Sequence, residues 1–340
     1  MGRVHRDFPD ALSEPEYGVG VTIIIGHRGA PGYRPEHTRS SYEIAIAQGV
    51  DAVEPDVIPT RDGVLVVRHD VEISETTDVA LHPEFADRRT TKAAGGGEAT
   101  GWFVDDFTWA ELATLRSRER IPQLRPESAA HDDTEPILRL VDVLDIARAG
   151  GVGAVVEIKH AAHFTAQRHD VAGLVLRELA AAGWHGDERP GRLVIESFEE
   201  TVLAELRERG ADAEMVYLVE DRGSPDDLVR ERGADAPTYA EQLADVAAFA
   251  GRVDGLSLAK SLLLADPSLA GRIRGAGLTL FTWTCRPENA FLADPFRGDG
   301  ERAERGDWRG EWERIRALGV DGVFADHPDL AALVFRDGAS

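Results

Sequence analysis

Acidic residues with a spacing suited to metal binding occur in two apolar stretches of the sequence. Glu54 and Asp56 are two residues apart in one stretch, and Glu157 precedes Lys159 by two in the other. Residues two apart on a strand share a face, so each pair would project to the same side of a sheet. Converging carboxylates repel one another unless a cation neutralises them, and oxygen-only ligands favour Mg²⁺ or Ca²⁺. The sequence therefore predicts one divalent-cation site at Glu54, Asp56 and Glu157, with salt bridges to Arg28 and Lys159 as the alternative.

Two histidines near these acids are candidates for proton transfer. His27 follows an apolar, β-branched run with only Gly26 between, and His69 lies near the end of another. A histidine titrates near neutral pH, so one of the pair could take a proton while the other gives one. The alternative for each is a structural, hydrogen-bonded histidine. Glu36 and His37 lie further into the loop after His27 and are weaker, supporting candidates, because residues there more often cap a helix.

Cations near the same strand ends suggest an anionic substrate. Arg28 offers a fork that fits phosphate and Lys159 a point charge. The formal net charge is -23, so such cations must overcome the field of the whole chain at one local site. Trp283 ends another apolar run, where it could form an apolar wall of that site or simply belong to the core. Lys260 reads more simply as a solvated lysine.

Composition limits the classes of partner. A net charge of -23 disfavours nucleic acid and anionic membrane surfaces as partners, and no apolar run reaches the length of a membrane span. The single cysteine, Cys285, excludes an intramolecular disulfide and a zinc site built on cysteines. The first 20 residues lack the apolar region of a secretory signal, so we expect a cytoplasmic location. The expected partner is a small molecule, and the chain itself is expected to be a monomer or a homodimer.

Alternating strand and helix patterns indicate the fold that would position these residues. Eight units of an apolar run followed by a helix-like segment are present if the run at 64–70 is taken as an extension of the second strand. The runs lie at 21–25, 51–57 with 64–70, 153–159, 192–198, 213–219, 253–259, 278–284 and 320–326. Buried parallel strands read as continuous apolar runs, and eight such units predict a (β/α)8 TIM barrel. The competing doubly wound sheet would require a glycine-rich dinucleotide loop, which the loop after the first run does not match.

One long stretch interrupts this alternation. Residues 71–136 are rich in Gly, Pro and charged residues, and they show a helical pattern only at 109–116. A stretch of this length inside a compact domain is usually functional. We therefore expect a single domain over residues 1–340, with 71–136 inserted after the second strand and lying over the C-terminal mouth of the barrel. In such a barrel the active site lies at that mouth.

Together these residues resemble the glycerophosphodiester phosphodiesterase family. The family pattern is His-Arg, a spacer, Glu-x-Asp, a second spacer and His. In this sequence it reads His27-Arg28, twenty-five residues, Glu54-Pro55-Asp56, twelve residues and His69. The segments "HRGAPGYRPEHT", "TRDGVLVVRHD", "EIK" and "GVDGVFADHPD" are also similar to family segments and occur in the same order. Within the insertion, "TTDVA" and "DDFTWAEL" resemble the branch that includes bacterial periplasmic enzymes.

The resemblance implies a fold, a reaction and a set of roles. The fold is a (β/α)8 barrel with an insertion after the second strand. The reaction is metal-dependent hydrolysis to glycerol 3-phosphate and an alcohol, with attack by the substrate's own adjacent hydroxyl and a cyclic phosphate that water then opens. The implied roles are metal ligands at Glu54, Asp56 and Glu157, an acid–base pair at His27 and His69, and phosphate binding at Arg28 and Lys159.

Two alternatives and one departure from the family pattern accompany these expectations. A lysophospholipase D-like activity on lysolipids would use exposed aromatic residues at the mouth, for which Trp102, Phe103 and Phe107 are candidates. A barrel that only binds phosphate or metal, as a sensor or scaffold, is the other alternative. The departure is Glu196, where family members often have Gln before the Ser-Phe of the fourth strand.

Overall fold

Eight parallel strands close into a barrel in the computed structural model of the chain, which describes residues 22–94, 97–186 and 189–336. Each barrel strand pairs with its neighbours in parallel, and the strand at 52–54 closes the ring by pairing with those at 23–27 and 153–158. The barrel strands are β1 (Ile23–His27), β2 (Ala52–Glu54), β7 (Gly153–Ile158), β8 (Leu193–Ser197), β9 (Glu214–Val219), β10 (Gly255–Ala259), β11 (Thr279–Cys285) and β12 (Gly322–Ala325). The predicted (β/α)8 TIM barrel is therefore confirmed. Residues 1–21, on which the expectation about a secretory signal rests, lie outside the described residues.

Helices surround the barrel and join its strands. They are α1 (Arg39–Ala47), α2 (Trp109–Leu112), α3 (Pro126–Ala129), α4 (Leu140–Gly150), α5 (Ala161–Ala166), α6 (Val171–Ala181), α7 (Glu200–Glu208), α8 (Asp226–Arg232), α9 (Tyr239–Ala244), α10 (Lys260–Ala265), α11 (Ser268–Gly275), α12 (Trp308–Ala317) and α13 (Pro328–Phe335). The first of them shows why they begin where they do. Thr38 caps α1 by accepting a hydrogen bond from the backbone N–H of Ser41 at 3.3 Å. None of the described helices is long and apolar enough to cross a membrane.

The second barrel strand continues into a hairpin above the barrel. After Pro55 the chain forms β3 (Asp56–Pro59), which pairs in parallel with β7, and then β4 (Leu65–Val67), which pairs antiparallel with β3. The expectation that residues 64–70 extend the second strand is wrong in direction, because the turn at Gly63 (φ 79°) reverses the chain. This reversal returns the residues after β4 to the barrel mouth, where the backbone N–H of Arg68 donates to the carbonyl of Asp56 at 3.0 Å.

Side chains of the barrel strands alternate between two apolar clusters. Ile23 and Ile25 belong to a small cluster that fills the barrel, whereas Ile24 packs in the larger cluster between strands and helices. The barrel-filling cluster consists of Ile23, Ile25, Ala52, Val155, Val194, Val216, Phe281 and Phe324. Because strand residues alternate in direction, the residues two positions after these also face the barrel axis. Those positions lie at the C-terminal ends of the strands.

Residues 71–136 contain more regular structure than the sequence indicates. In addition to α2 and α3, they form an antiparallel hairpin of β5 (Thr90–Ala94) and β6 (Gly97–Gly101). Trp102, Phe103 and Phe107, the aromatic candidates for lipid contact, are buried beneath this hairpin and its neighbours at 8%, 1% and 0% exposure. Trp102 also donates from Nε1 to the carbonyl of Phe85 at 2.6 Å. These three side chains are core residues of the insertion and offer no exposed surface to a lipid.

Candidate active site

The barrel-facing positions just above the apolar cluster carry half of the predicted site residues, and Glu196 with them. Each lies two residues after a member of that cluster, so the alternation that buries the cluster also aims these side chains into the mouth. They are His27 on β1, Glu54 on β2, Glu157 on β7, Glu196 on β8 and Trp283 on β11. The structure therefore brings together residues that are far apart in the sequence.

Glu54, Asp56 and Glu157 converge as the sequence predicts. Each offers a carboxylate oxygen, and these three oxygens lie within 4.8 Å of one another. All three residues are buried, and Glu54 Oε1 and Asp56 Oδ1 have no hydrogen-bond partner among the described residues. A buried carboxylate oxygen without a partner is costly, and a hard cation with oxygen ligands would satisfy it. The donor set therefore fits a divalent ion such as Ca²⁺ or Mg²⁺.

Arg28 binds surrounding acids and adjoins the three carboxylates of Glu54, Asp56 and Glu157, which we call the metal-type cluster. Its Nε lies 3.0 Å from Asp56 Oδ2 and its Nη1 donates to Glu36 Oε2 at 3.0 Å. Its backbone N–H donates to Glu54 Oε2 at 2.8 Å, in a residue with a positive φ of 56°. Burial works against the charge of Arg28, yet Glu36 and Asp56 hold its pKa above its usual value. The salt bridge to Arg28, which the sequence offers as an alternative to a cation site, is thus part of the same site.

Lys159 and Glu196 extend the cluster along the neighbouring strands. Lys159 Nζ lies 2.8 Å from Glu157 Oε1 and 5.0 Å from the ring centre of Phe198. Burial opposes its charge, but Glu157 and Asp56 raise its pKa. Glu196 is directly opposite Glu157 in the β7–β8 register, and its Oε2 is buried without a hydrogen-bond partner among the described residues. Burial and the charge of Glu157 raise the pKa of Glu196 well above its usual value.

The carboxylate of Asp326, which directly follows the last barrel strand β12, orients His27. Its Nδ1 lies 2.6 Å from Asp326 Oδ1, so Nε2 is left to face the mouth. Burial and the positive charge of Arg28 lower the pKa of His27 to about 4, against the raising effect of Asp326. Asp326 itself also receives Arg125 Nη2 at 2.6 Å and Arg286 Nε at 2.8 Å. The imidazole is therefore neutral near pH 7 in the free protein.

His69 has a matching arrangement after β4. Its Nδ1 lies 2.6 Å from Asp70 Oδ1, and the imidazole is the more open of the pair, with 30% of its side chain exposed. Burial, Arg28 and Lys159 lower the pKa of His69 to about 3. The charge of Asp56 and the hydrogen bond with Asp70 act in the opposite direction and favour the protonated form of His69.

Several residues of the site were underrated or missed from the sequence. Glu36 and His37 belong to the site rather than to a helix cap, because His37 Nε2 lies 2.9 Å from Asp56 Oδ2 and Glu36 pairs with Arg28. His37 Nδ1 lies 2.8 Å from the Tyr42 hydroxyl. Their only sequence signal is a place in the same charged loop as His27. Arg120, Arg125, Arg286 and Glu288 carry no spacing signal, since only the folded insertion and loops bring them to the mouth.

Two further expectations, for Trp283 and Lys260, are decided by the contacts of these side chains. Trp283 is half-buried, donates from Nε1 to the carbonyl of Ser257 at 3.2 Å and packs edge-to-face on Phe198 at 5.6 Å. It therefore tops the barrel-filling cluster and also borders the mouth. Lys260 is not a solvated lysine, because its Nζ forms an ion pair with the fully buried Glu311.

Two histidines that follow β7, His160 and His163, are half-buried. His160 adopts a positive φ of 53° at the start of α5. His163 lies 3.5 Å from Asp105 of the insertion. His163 therefore joins α5 to the insertion.

Known proteins of one family are similar to this chain. Residues 27–330 match the model of the glycerophosphoryl diester phosphodiesterase family. The chain is 31% identical over 324 residues to a glycerophosphodiester phosphodiesterase of Arabidopsis thaliana, covering 89% of this chain and 82% of that protein. It is 25% identical over 315 residues to a glycerophosphodiester phosphodiesterase of Bacillus subtilis, covering 91% and 84%.

Solved structures share the fold. A putative glycerophosphoryl diester phosphodiesterase from Silicibacter pomeroyi superposes with a TM-score of 0.66 at 24% identity, covering 94% of each chain. A phosphodiesterase from Oleispira antarctica, solved in complex with the product sn-glycerol-3-phosphate, superposes with a TM-score of 0.62 at 20% identity, covering 92% of this chain and 96% of that one. From the family match and the relative in Arabidopsis, we conclude that the chain is a phosphodiesterase and belongs to the glycerophosphoryl diester phosphodiesterase family.

Proposed function

We propose that the chain hydrolyses small glycerophosphodiesters to glycerol 3-phosphate and an alcohol, using one divalent cation and two histidines. The observation that carries this proposal is the triad of carboxylate oxygens within 4.8 Å of one another, two of them on residues with unpartnered buried oxygens. Such a cluster lies where barrel enzymes carry their active sites. The product bound to the Oleispira antarctica phosphodiesterase supports the substrate class.

Glu54, Asp56 and Glu157 would hold the cation, either Ca²⁺ or Mg²⁺. When bound, it would offset negative charge on the phosphate oxygens. Arg28 and Lys159 would bind the same phosphate from the sides of the cluster, because both remain charged while paired with the acids. These two cations overcome the negative field of the chain at one place.

His27 and His69 would move the protons. One imidazole takes the proton of the attacking oxygen, and the other gives a proton to the leaving alkoxide. With the neighbouring hydroxyl of the glycerol unit as attacker, the products of this step are a cyclic phosphate and an alcohol. Water then opens the cyclic phosphate with the two roles exchanged, so both imidazoles return to their starting states. An anionic phosphate between them raises the low pKa values of the free protein and makes the acid form accessible.

The rest of the mouth would select the alcohol. Trp283 and Phe198 form an apolar, half-buried corner next to Lys159. Residues 71–136 would cover the opposite side, where Arg120 and Arg125 reach the acids of the mouth. A shortened insertion should therefore widen the range of accepted head groups.

Release of glycerol 3-phosphate from glycerophosphocholine tests the proposal. The purified chain is assayed after EDTA treatment and after addition of Ca²⁺, Mg²⁺ or Mn²⁺, with Asp56→Asn as the inactive variant. We expect metal-dependent product in the native chain and a loss of at least 100-fold in the variant. Lysophosphatidylcholine serves as a second substrate to test lysophospholipase D-like activity. Binding of glycerophosphocholine without any product, at every metal, would favour the barrel that only binds phosphate or metal.

A further inference from the structure

Arg120 of the insertion connects His69 to the phosphate side of the site. Its Nη1 donates to Asp70, whose other carboxylate oxygen lies 2.6 Å from His69 Nδ1. Its remaining nitrogens donate to Glu36, from Nε at 3.0 Å and from Nη2 at 2.6 Å. Glu36 in turn receives Arg28 at 3.0 Å. A single guanidinium therefore fixes both the carboxylate behind one histidine and the acid behind the phosphate-binding arginine.

Arg125 makes the equivalent contact on the other side of the mouth. Its Nη2 donates to Asp326 Oδ2 at 2.6 Å, and Asp326 Oδ1 lies 2.6 Å from His27 Nδ1. Its Nε donates to Glu288 at 2.7 Å, so the guanidinium is held from two directions. Arg286 donates to the same Asp326 oxygen at 2.8 Å, which gives this carboxylate a second cation.

The short segment 118–125 that carries both arginines is itself fixed. Glu119 is buried and accepts hydrogen bonds from the Ser128 hydroxyl at 2.6 Å and the backbone N–H of Ile121 at 3.0 Å. Its own N–H donates to Asp132 at 2.7 Å. Side chains on a segment anchored in this way lose little further entropy when they bind the acids of the mouth.

We propose that Arg120 and Arg125 are positioning residues through which the insertion sets the orientation and tautomer of His69 and His27. The inference rests on the proposed function, because it concerns the two histidines assigned to proton transfer. Each arginine keeps its carboxylate ionised and aligned. An ionised carboxylate accepts only from Nδ1–H, so Nε2 of each ring is left unprotonated and directed at the substrate.

The charges near the two carboxylates agree with this role. Burial alone would raise the pKa of Asp326, but Arg286 and Arg125 hold it well below its usual value. Burial would also raise the pKa of Asp70, and contact with His69 and Arg120 lowers it instead. The insertion is thereby a working part of the proton-transfer machinery rather than only a cover over it.

Steady-state kinetics of Arg120→Gln and Arg125→Gln test the proposal, with Arg118→Gln as the matched control. Arg118 lies on the same segment, has an exposure similar to that of Arg120, and pairs with Asp133 rather than with an acid of the mouth. Carboxylates behind metal-bound histidines contribute about 10- to 100-fold, and we expect kcat to fall by a similar factor in both test variants. KM should rise only in Arg120→Gln, through Glu36 and Arg28. Added guanidinium, well below unfolding concentrations, should restore part of kcat in the alanine variants of the same positions.

Nitrogen-15 spectra of the histidine rings give a readout independent of activity. The native protein should show the Nδ1–H tautomer at both rings. Arg120→Gln should disturb His69 alone, Arg125→Gln should disturb His27 alone, and Arg118→Gln should disturb neither. Arg120→Lys and Arg125→Lys keep the charge and serve if a glutamine variant does not fold, with smaller changes expected at the same ring.

The outcomes separate this inference from the proposed function. An active native protein whose test variants match Arg118→Gln in both kcat and ring spectra overturns the inference and leaves the function standing. A native protein inactive on every glycerophosphodiester overturns the function. In that case the ring spectra alone decide the inference, and unchanged tautomers in both test variants overturn it.

Discussion

The pKa values of Glu54 and Asp56, which lie two residues apart, are shifted in opposite directions by the site that the two side chains share. Burial disfavours the charge of both side chains. Asp56 is nevertheless held ionised, with its pKa well below the usual value, by Arg28, His69 and His37. Glu54 has its pKa raised well above the usual value by burial together with the charges of Asp56 and Glu157. The free site therefore carries fewer negative charges than its carboxylates would carry in water.

This asymmetry predicts that a bound cation stabilises the protein more at high pH. Burial, opposed by Lys159 and reinforced by Asp56, raises the pKa of Glu157 from 4.5 to about 8. A carboxyl whose pKa is higher in the folded protein than in the unfolded protein contributes its full stabilisation below the unfolded-state pKa. That contribution is lost as pH rises through the folded-state pKa, which is about 8 for Glu157. The cation-free protein should thus lose stability over this window, and a divalent ion should restore it by about 2.7 kcal/mol at 100-fold excess over Kd.

Thermal unfolding with Ca²⁺, Mg²⁺ or EDTA at a series of pH values measures this effect. The gap between metal-loaded and EDTA-treated protein should widen steadily from about pH 6 to pH 8.5, because protons compete with the ion below the raised pKa values. Glu54→Gln should shrink the gap at every pH. A gap that is constant with pH, or equal in the variant, would show that these carboxylates do not bind the ion.

The two histidines should be distinguishable by the leaving group of the substrate. Alanine at either His27 or His69 should lower kcat on glycerophosphocholine by about 100- to 10,000-fold. A diester with a p-nitrophenyl leaving group needs no proton at its oxygen. The variant that lacks the acid should therefore recover most of its activity on it, and the variant that lacks the base should not.

His131→Ala, at a half-buried histidine of the insertion, is the control and should keep native kcat on both substrates. Equal losses in both test variants on both substrates would mean that the imidazoles do not divide the acid and base roles. The comparison also shows which histidine is the acid and which is the base. The contacts of the two rings with Asp326 and Asp70 are alike and do not distinguish these roles.

Local sequence patterns were enough to predict the barrel fold and the acidic cluster at its mouth, but not the residues that surround that cluster. The apolar runs predict the eight strands. Because successive side chains of a strand point to opposite faces, the spacing also predicts that Glu54, Asp56 and Glu157 converge. The sequence pattern predicts one extended strand where the structure has the hairpin β3–β4, with Gly63 at its turn. Composition alone distinguishes poorly between a turn within a strand and a turn that reverses it.

Contacts made by loops were beyond local reasoning. Arg120 and Arg125 meet Asp70 and Asp326 across 50 and 201 residues of sequence, and no period relates those positions. The burial of Trp102 and Phe107 likewise depends on how the insertion folds on itself. Lys260 was read as solvated because its partner Glu311 lies on a helix fifty-one residues further along the chain.

Glu196 should make the protein less stable at high pH than a glutamine would. Burial, Glu157 and Asp56 raise its pKa well above the usual value, which favours the protonated form, and a protonated glutamate resembles glutamine in shape. The melting temperature of cation-free Glu196→Gln should rise relative to that of the native protein as pH increases, because the buried acid must ionise at high pH. Exposed Glu208→Gln is the control and should follow the native curve. A lower melting temperature for Glu196→Gln only in the presence of metal would instead identify Glu196 as a further ligand.

Glu119, which anchors the segment of the two positioning arginines, should give the insertion its own pH dependence. Burial raises its pKa from 4.5 to about 7, against hydrogen bonds from Ser128 and Ile121. Because the folded pKa is the higher one, its stabilising effect is complete below about 4.5 and is lost as pH rises through about 7. At 1.36 kcal/mol per pKa unit, this amounts to about 3 kcal/mol.

Urea unfolding of Glu119→Gln at about pH 5 and pH 8 isolates that contribution from Glu199, whose pKa burial also raises to about 7. The native protein should lose stability between the two pH values, and the variant should lose less by up to about 3 kcal/mol. Exposed Glu127→Gln on α3 keeps the native slope as a control. A slope in Glu119→Gln equal to the native one would mean that Glu119 is ionised in the folded insertion, held by its two hydrogen-bond donors.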